Sequence, residues 1–203
     1  MIDNICLLLT KKIREEMPDV DDERAEVINY GLHLIIGELP KTFIILGLSY
    51  ILGVFKLTLL TVILLLPYRA VSGGFHLKTH IGCIVGTTLI YCGVAKISNY
   101  IIFNNQIIKI IIALSVWIFG MIMVHLYAPA DTESVPILSK KERKQKKMLS
   151  YIFLSVAMMI ACIIPNNVIS NILIFGYFIQ SITITRLAYK LTKNKYGYEV
   201  YDT

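Results

Sequence analysis

A chain of 203 residues that is 56% hydrophobic and 17% charged, with mean hydropathy +0.65, has a membrane composition; at roughly 20 helical residues per crossing it holds about six spans and no separate soluble catalytic domain. Its net charge of +6 is unevenly placed, since residues 140–147 hold six basic residues and one acid, whereas residues 39–130 contain no Asp or Glu. The acid-free stretch excludes an intramembrane aspartyl protease, which needs two facing carboxylates, and argues against a proton pump built on buried acids.

Along the chain, residues 2–17 place Ile2, Ile5, Cys6, Leu9, Ile13 and Met17 at helical spacing, which predicts an amphipathic helix lying in the membrane interface. The lysines follow a short apolar run with no small-residue cleavage site, so this start does not read as a signal peptide. A polar link over 18–26 follows, and residues 27–66 read as an entry hairpin of two helices. The first is interrupted by Glu38, Pro40 and Lys41; the second covers 57–66 and is closed by Pro67. Beyond a polar patch, residues 81–97, 107–127, 148–164 and 168–188 are each of spanning length. The expectation is an all-α, polytopic integral membrane protein of about six transmembrane helices, some short or broken, plus the N-terminal amphipathic helix. It forms one membrane domain, 1–203, whose parts are 1–26 (amphipathic helix and link), 27–66 (entry hairpin), 67–127 (patch and helices three and four), 128–147 (cytoplasmic basic loop) and 148–203 (helices five and six and the tail). The basic run and Arg186, Lys190, Lys193 and Lys195 belong in the cytoplasm, and the uncharged turns at 98–106 and 165–167 outside. That puts the polar patch on the cytoplasmic side. Cys6, Cys83, Cys92 and Cys162 show no paired spacing, so no disulfide framework is expected.

The patch carries Arg69, the pair Gly73 and Gly74, His76 and His80, and runs into an apolar segment bearing Cys83. A thiol beside an imidazole is the pairing that acyl transfer needs, a nucleophile with a neighbour that takes its proton. On one continuous helix His76 would stand about 10.5 Å from Cys83 along the axis, so it reaches the sulfur only if the chain bends back at the glycines. His80, three residues away, needs no bend. Backbone N–H groups of Gly73 and Gly74 are candidates to hold an oxyanion. A competing reading takes His76, His80 and Cys83 as zinc ligands of an intramembrane protease, although Leu77 stands where such a site has its glutamate base. Ser72 as a serine nucleophile lacks a histidine at recognisable spacing. A small peptide transporter would explain the spans but not the cluster. The plainer readings are a small apolar Cys83, interfacial histidines, structural His33 and His125, an Arg69 snorkelling to headgroups, and Asp131 and Glu133 as solvated loop charges. Glu38 finds only Lys41 as a possible partner.

The order Arg69, six residues, His76, six residues, Cys83, with glycine ahead of the histidine, resembles the accessory gene regulator B family. Tyr127-Ala128-Pro129-Ala130 ahead of the basic run resembles the family's loop between its fourth and fifth spans. The resemblance implies a membrane-embedded cysteine endopeptidase of Gram-positive bacteria that processes the precursor of a cyclic autoinducing peptide. Cys83 would be the nucleophile, His76 the general base and Arg69 a required partner; His80 falls outside the family pattern. The implied reaction releases the precursor's acidic C-terminal tail, leaves a thioester on the enzyme, and closes a thiolactone with the precursor's own cysteine. No acid in residues 39–130 can orient His76, a task open to a backbone carbonyl. No metal or cofactor is implied and no nucleic acid; the partners are the precursor peptide, membrane lipid and a second copy in a homodimer. The implied location is the bacterial cell membrane, multi-pass, with the active site toward the cytoplasm. Lys140, Lys141, Arg143, Lys144, Lys146 and Lys147 are candidate contacts for the acidic tail, or else a topology signal that also meets anionic lipid.

Overall fold

Backbone groups in lipid must find their partners within the segment, so apolar runs of spanning length become helices. The computed structural model describes residues 2–201 except 18, 33, 34, 37, 38, 78, 134, 135 and 138, and leaves aside the side chains of residues 2–4, 23, 26, 30, 80 and 201. The described residues form helices α1 (Ile2–Glu16), α2 (Asp22–Leu32), α3 (Leu39–Ile51), α4 (Phe55–Ser72), α5 (His80–Tyr100), α6 (Gln106–Tyr127), α7 (Lys140–Ile163), α8 (Asn167–Thr183), α9 (Arg186–Leu191) and α10 (Gly197–Tyr201). The all-α polytopic architecture is as expected: α4, α5, α6 and α7 are long and apolar enough to cross a membrane, and α3 and α8 are shorter apolar helices.

The centre is α8, which packs on α4, α5, α6 and α7. Its Ile172, Leu173, Ile174 and Tyr177 are buried in one core with Leu65 and Tyr68 of α4, Val94 of α5, Val116 and Val124 of α6, and Leu154 and Met158 of α7. Because lipid is as apolar as leucine, close packing and hydrogen bonds hold such helices together. Gly176 lets α8 meet α4, where a Cβ would overlap Leu65. Next to it Tyr68 and Tyr177 stack with centroids 4.6 Å apart, and the Tyr68 and Ser181 hydroxyls are 3.0 Å apart. α3 rests on α4 and α5, and α1 packs on α2.

Four expectations are corrected. First, α4 runs through Pro67 to Ser72. A proline inside a helix costs about 3 kcal/mol, and the turn that follows is held by the buried Tyr68 and Ser72. Second, the basic run is not loop: Lys140 opens α7, and Ser139 Oγ caps it by accepting from the Glu142 N–H at 3.4 Å, so residues 140–147 form the first two turns. Third, the polar link ends early because α2 begins at Asp22. Fourth, the last span stops at Thr183, and α9 is a separate short helix. His33, Glu38 and Lys78 lie outside the described residues.

Candidate functional site

Two short connections meet at one end of the bundle, residues 73–79 between α4 and α5 and residues 128–139 between α6 and α7. Gly73 at φ +73 and Gly74 at φ +137 turn the chain off α4 in conformations that only glycine adopts freely. There is no room for side chains either, since a Cβ on Gly73 would overlap the Ala130 carbonyl and one on Gly74 the Arg69 guanidinium. After the cis Ala128–Pro129 peptide, the Ala130 N–H donates to Ser72 O at 2.9 Å, and Ala130 O accepts from the Gly74 N–H at 2.8 Å. The Tyr189 hydroxyl of α9 donates to the same Ala130 oxygen at 2.8 Å and to Asp131 O at 3.1 Å. Burial pushes the Tyr189 phenol well above its ordinary range, against an opposing pull from Arg69, so it stays a donor.

Arg69, on the last turns of α4, reaches across this connection. It donates to Phe75 O at 3.0 Å and to Thr183 Oγ1 at 3.2 Å, with longer contacts to Gly73 O at 3.4 Å and Gln180 Oε1 at 3.5 Å. The amide of Gln180 donates to Gly73 O at 2.7 Å and to Ser72 Oγ at 3.0 Å, and the Phe75 N–H donates to Thr183 O at 3.3 Å. His76 comes next, half-buried, its carbonyl accepting from Asn194 Nδ2 at 2.7 Å. Each residue from Gly73 to His76 is therefore tied through its backbone to α4, α8, the 128–139 connection or the chain after α9.

Cys83 lies in the first turn of α5. Thr79 caps that helix, its Oγ1 accepting from the Gly82 N–H at 3.1 Å and its carbonyl from the Cys83 N–H at 2.9 Å. The start of a helix carries the positive end of its dipole, which favours negative charge there. Cys83 and Arg69 both line a cavity of about 170 Å³, walled by Leu65, Phe75, Leu77 and Tyr91 and, from α8, by Gln180 and Thr183. His76 is in the connection that leads to this cavity but is not one of the residues that line it. The side chain of His80 lies outside the described residues, so its part in a three-ligand set is not described; among those that are, no three His, Cys, Asp or Glu side chains converge.

Two sequence expectations change at this level. The N–H groups of Gly73 and Gly74 are already spent on Arg69 O and Ala130 O, so neither is open to an oxyanion in this conformation. Asp131 is not a solvated loop charge: its side chain is 1% exposed, and its Oδ2 pairs with Arg143 and accepts from the Ile137 N–H. That pairing occupies one of the six basic candidates, Lys146 pairs with Glu142, and Lys147 donates to His125 O. Lys140, Lys141 and Lys144 are exposed. Sequence reasoning passed over Gln180, Thr183 and Asn194. For the first two a signal existed, since polar side chains inside an apolar helix seldom face lipid.

Comparison with known proteins bears on the whole of this arrangement. The model of the family described as Accessory gene regulator B matches residues 6–184. The chain is 30% identical over 200 residues to a provisionally named AgrB-like protein of Listeria welshimeri, covering 94% of this chain and 96% of that one. It is 30% identical to AgrB-like protein 2 of Clostridium perfringens, with 95% of each chain covered, and 27% identical to an AgrB-like protein of Clostridium acetobutylicum, covering 83% and 78%. No solved structure matches. With the family model spanning most of its length and these relatives nearly all of it, the chain belongs to the accessory gene regulator B family of membrane proteins.

Proposed function

We propose that the chain is a membrane-embedded cysteine endopeptidase that removes the C-terminal tail of a quorum-sensing propeptide and releases a thiolactone-cyclised intermediate. The observation that carries this reading is the shared cavity of Cys83 and Arg69, at the end of a connection whose backbone is tied residue by residue up to His76. Family membership supports it.

In this reading His76 takes the Cys83 proton and Sγ adds to the carbonyl carbon of the scissile peptide bond. The tetrahedral oxyanion faces Arg69, a fixed cation on the cavity wall, in place of the glycine amides that are already bonded. When the C–N bond breaks, the proton on His76 passes to the departing amine, and the tail leaves. Cys83 now holds a thioester. The precursor's cysteine gives its proton to His76, attacks that carbonyl, and expels the Cys83 thiolate, which takes the proton back. One amide has become one thiolactone and one amine, with no water consumed. Reaching the thiolactone from a thioester exchanges like bonds, and an apolar cavity that keeps water from the acyl-enzyme protects the intermediate. Hydrogen bonds between catalytic groups such as His76 and Cys83 commonly tighten only once substrate is bound.

The same reading sets the active site toward the cytoplasm of a bacterial cell membrane, gives the exposed Lys140, Lys141 and Lys144 the acidic tail to attract, and takes a homodimer as the working unit. Purified protein in detergent, mixed with a precursor peptide whose cysteine is replaced by serine, should stall and gain the mass of the peptide's N-terminal part on Cys83. Cys83→Ala should release no tail. Tail release that survives Cys83→Ala, or that stops on chelating metal and not on alkylating thiols, would overturn the proposal.

A further inference from the structure

The most distant tie on the 73–79 connection is also the one nearest the proposed base. Helix α9 ends in a Schellman turn: the Asn194 N–H donates to Tyr189 O at 2.9 Å, the Lys193 N–H donates to Lys190 O at 3.2 Å, and Lys193 between them sits at φ +56. Lysine in that left-handed conformation is uncommon, and its effect is to bring the next side chain back over the helix end. Asn194 Nδ2 then donates to His76 O at 2.7 Å and to Thr192 Oγ1 at 2.8 Å. With two acceptors of fixed position on one amide nitrogen, the carboxamide cannot turn its oxygen to His76 without losing both bonds. The tie comes from a residue beyond 184, where the match to the family model ends.

We infer that Asn194 is a positioning residue for the reaction: the turn after α9 grips the backbone of His76 and so sets where its imidazole stands relative to Cys83. This rests on the peptidase reading above. Arg69 fixes the residue before His76, and Asn194 grips the carbonyl of His76 itself, ahead of Thr79 at the cap of α5. Because a misplacement of about 1 Å in a reacting group is enough to cost on the order of a hundredfold in rate, one carbonyl contact suffices to matter. Asn194 does not line the cavity itself, and Thr192, which does and which its amide touches, keeps its own bonds to Ala188 O and Tyr189 O, so the loss of Asn194 should act on turnover more than on substrate binding.

The test uses the full chain in detergent with Cys6, Cys92 and Cys162 replaced by serine, and compares Asn194→Asp, Asn194→Gln and His76→Ala. Asn194→Asp keeps the shape and removes the donor; Asn194→Gln keeps the donor on a longer arm. Tail release from the precursor gives kcat and KM, and iodoacetamide labelling of Cys83 against pH reports the imidazole beside it. For Asn194→Asp the expected result is a kcat lowered about ten- to a hundredfold at unchanged KM, a labelling profile moved toward that of His76→Ala, and partial recovery in Asn194→Gln. If Asn194→Asp matches the parent while His76→Ala is impaired, the positioning role is overturned and the peptidase reading stands. If His76→Ala itself matches the parent, the base assignment fails and this inference with it. A joint fall of kcat, affinity and thermal stability would assign Asn194 to folding alone and also overturn the role. Should Asn194→Asp not fold, Asn194→Ser is read by the same criteria.

Discussion

Arg69 both braces the 73–79 connection and lines the cavity that Cys83 shares. Its two strong bonds, to Phe75 O and Thr183 Oγ1, leave in different directions from one planar group, and the same side chain contributes positive charge to the cavity that Cys83 lines. Arg69→Lys keeps the charge but offers a single point donor, which cannot satisfy both acceptors. Tail release by that variant should therefore fall in kcat by about tenfold or more, since displaced reacting groups lose rate steeply, while the cavity still admits precursor and KM changes little; steady-state cleavage assays check this. At the residue scale, the spacing of Arg69, His76 and Cys83 was legible because those residues are close in sequence. Gln180, Thr183 and Asn194 are more than a hundred residues away, and only the fold brings them to Gly73, Phe75 and His76. Asp131 read as solvated because nothing in the sequence says that Arg143, twelve residues on, returns to meet it.

Helices and their ends behave less locally than their composition suggests. Pro67 reads as a stop, yet packing of Tyr68 and Ser72 carries α4 onward to put Arg69 on a helix. Six cations read as a loop, although Ser139 and Glu142 spell a capping box that starts α7 there. The segment after α8 is a tyrosine stack: Tyr196 lies 4.0 Å from Tyr189, 5.2 Å from Tyr198 and 6.2 Å from Tyr127, with the Arg143 guanidinium over Tyr198 at 5.0 Å. The Tyr196 hydroxyl donates to Ile184 O at 2.8 Å. Burial, and then the neighbouring Tyr189, push the Tyr196 phenol far above its ordinary value of 10.0. The fold thus favours the neutral phenol, so its contribution is whole below pH 10.0 and is lost as pH climbs past that value toward the folded one. Thermal unfolding of the detergent-solubilised protein should show a midpoint that drops above pH 10, and Tyr196→Phe, which has no proton to lose, should drop less steeply over the same range.

Across the whole molecule, hydropathy made the membrane architecture legible, because runs of spanning length leave the backbone little choice. It could not rank the helices: α8, among the shorter, is the one that touches α4, α5, α6 and α7, and its buried Ser170, Asn171, Gln180 and Ser181 are what a window average conceals. The proposed orientation makes a prediction of its own. In right-side-out membrane vesicles, a cysteine placed at Lys144 of an otherwise cysteine-free chain should react with an impermeant maleimide only after lysis, and one placed at Asn105 should react at once; the reverse pattern would invert the topology.

The stitching of residues 72–76 to residues 130, 183 and 194 also governs when this site is complete. During synthesis the N-terminal parts of a chain are laid down first. Until α8 and the turn behind α9 have left the ribosome, the backbone around His76 lacks its far anchors. On the peptidase reading, a nascent copy should therefore be inert until the final stretch of translation.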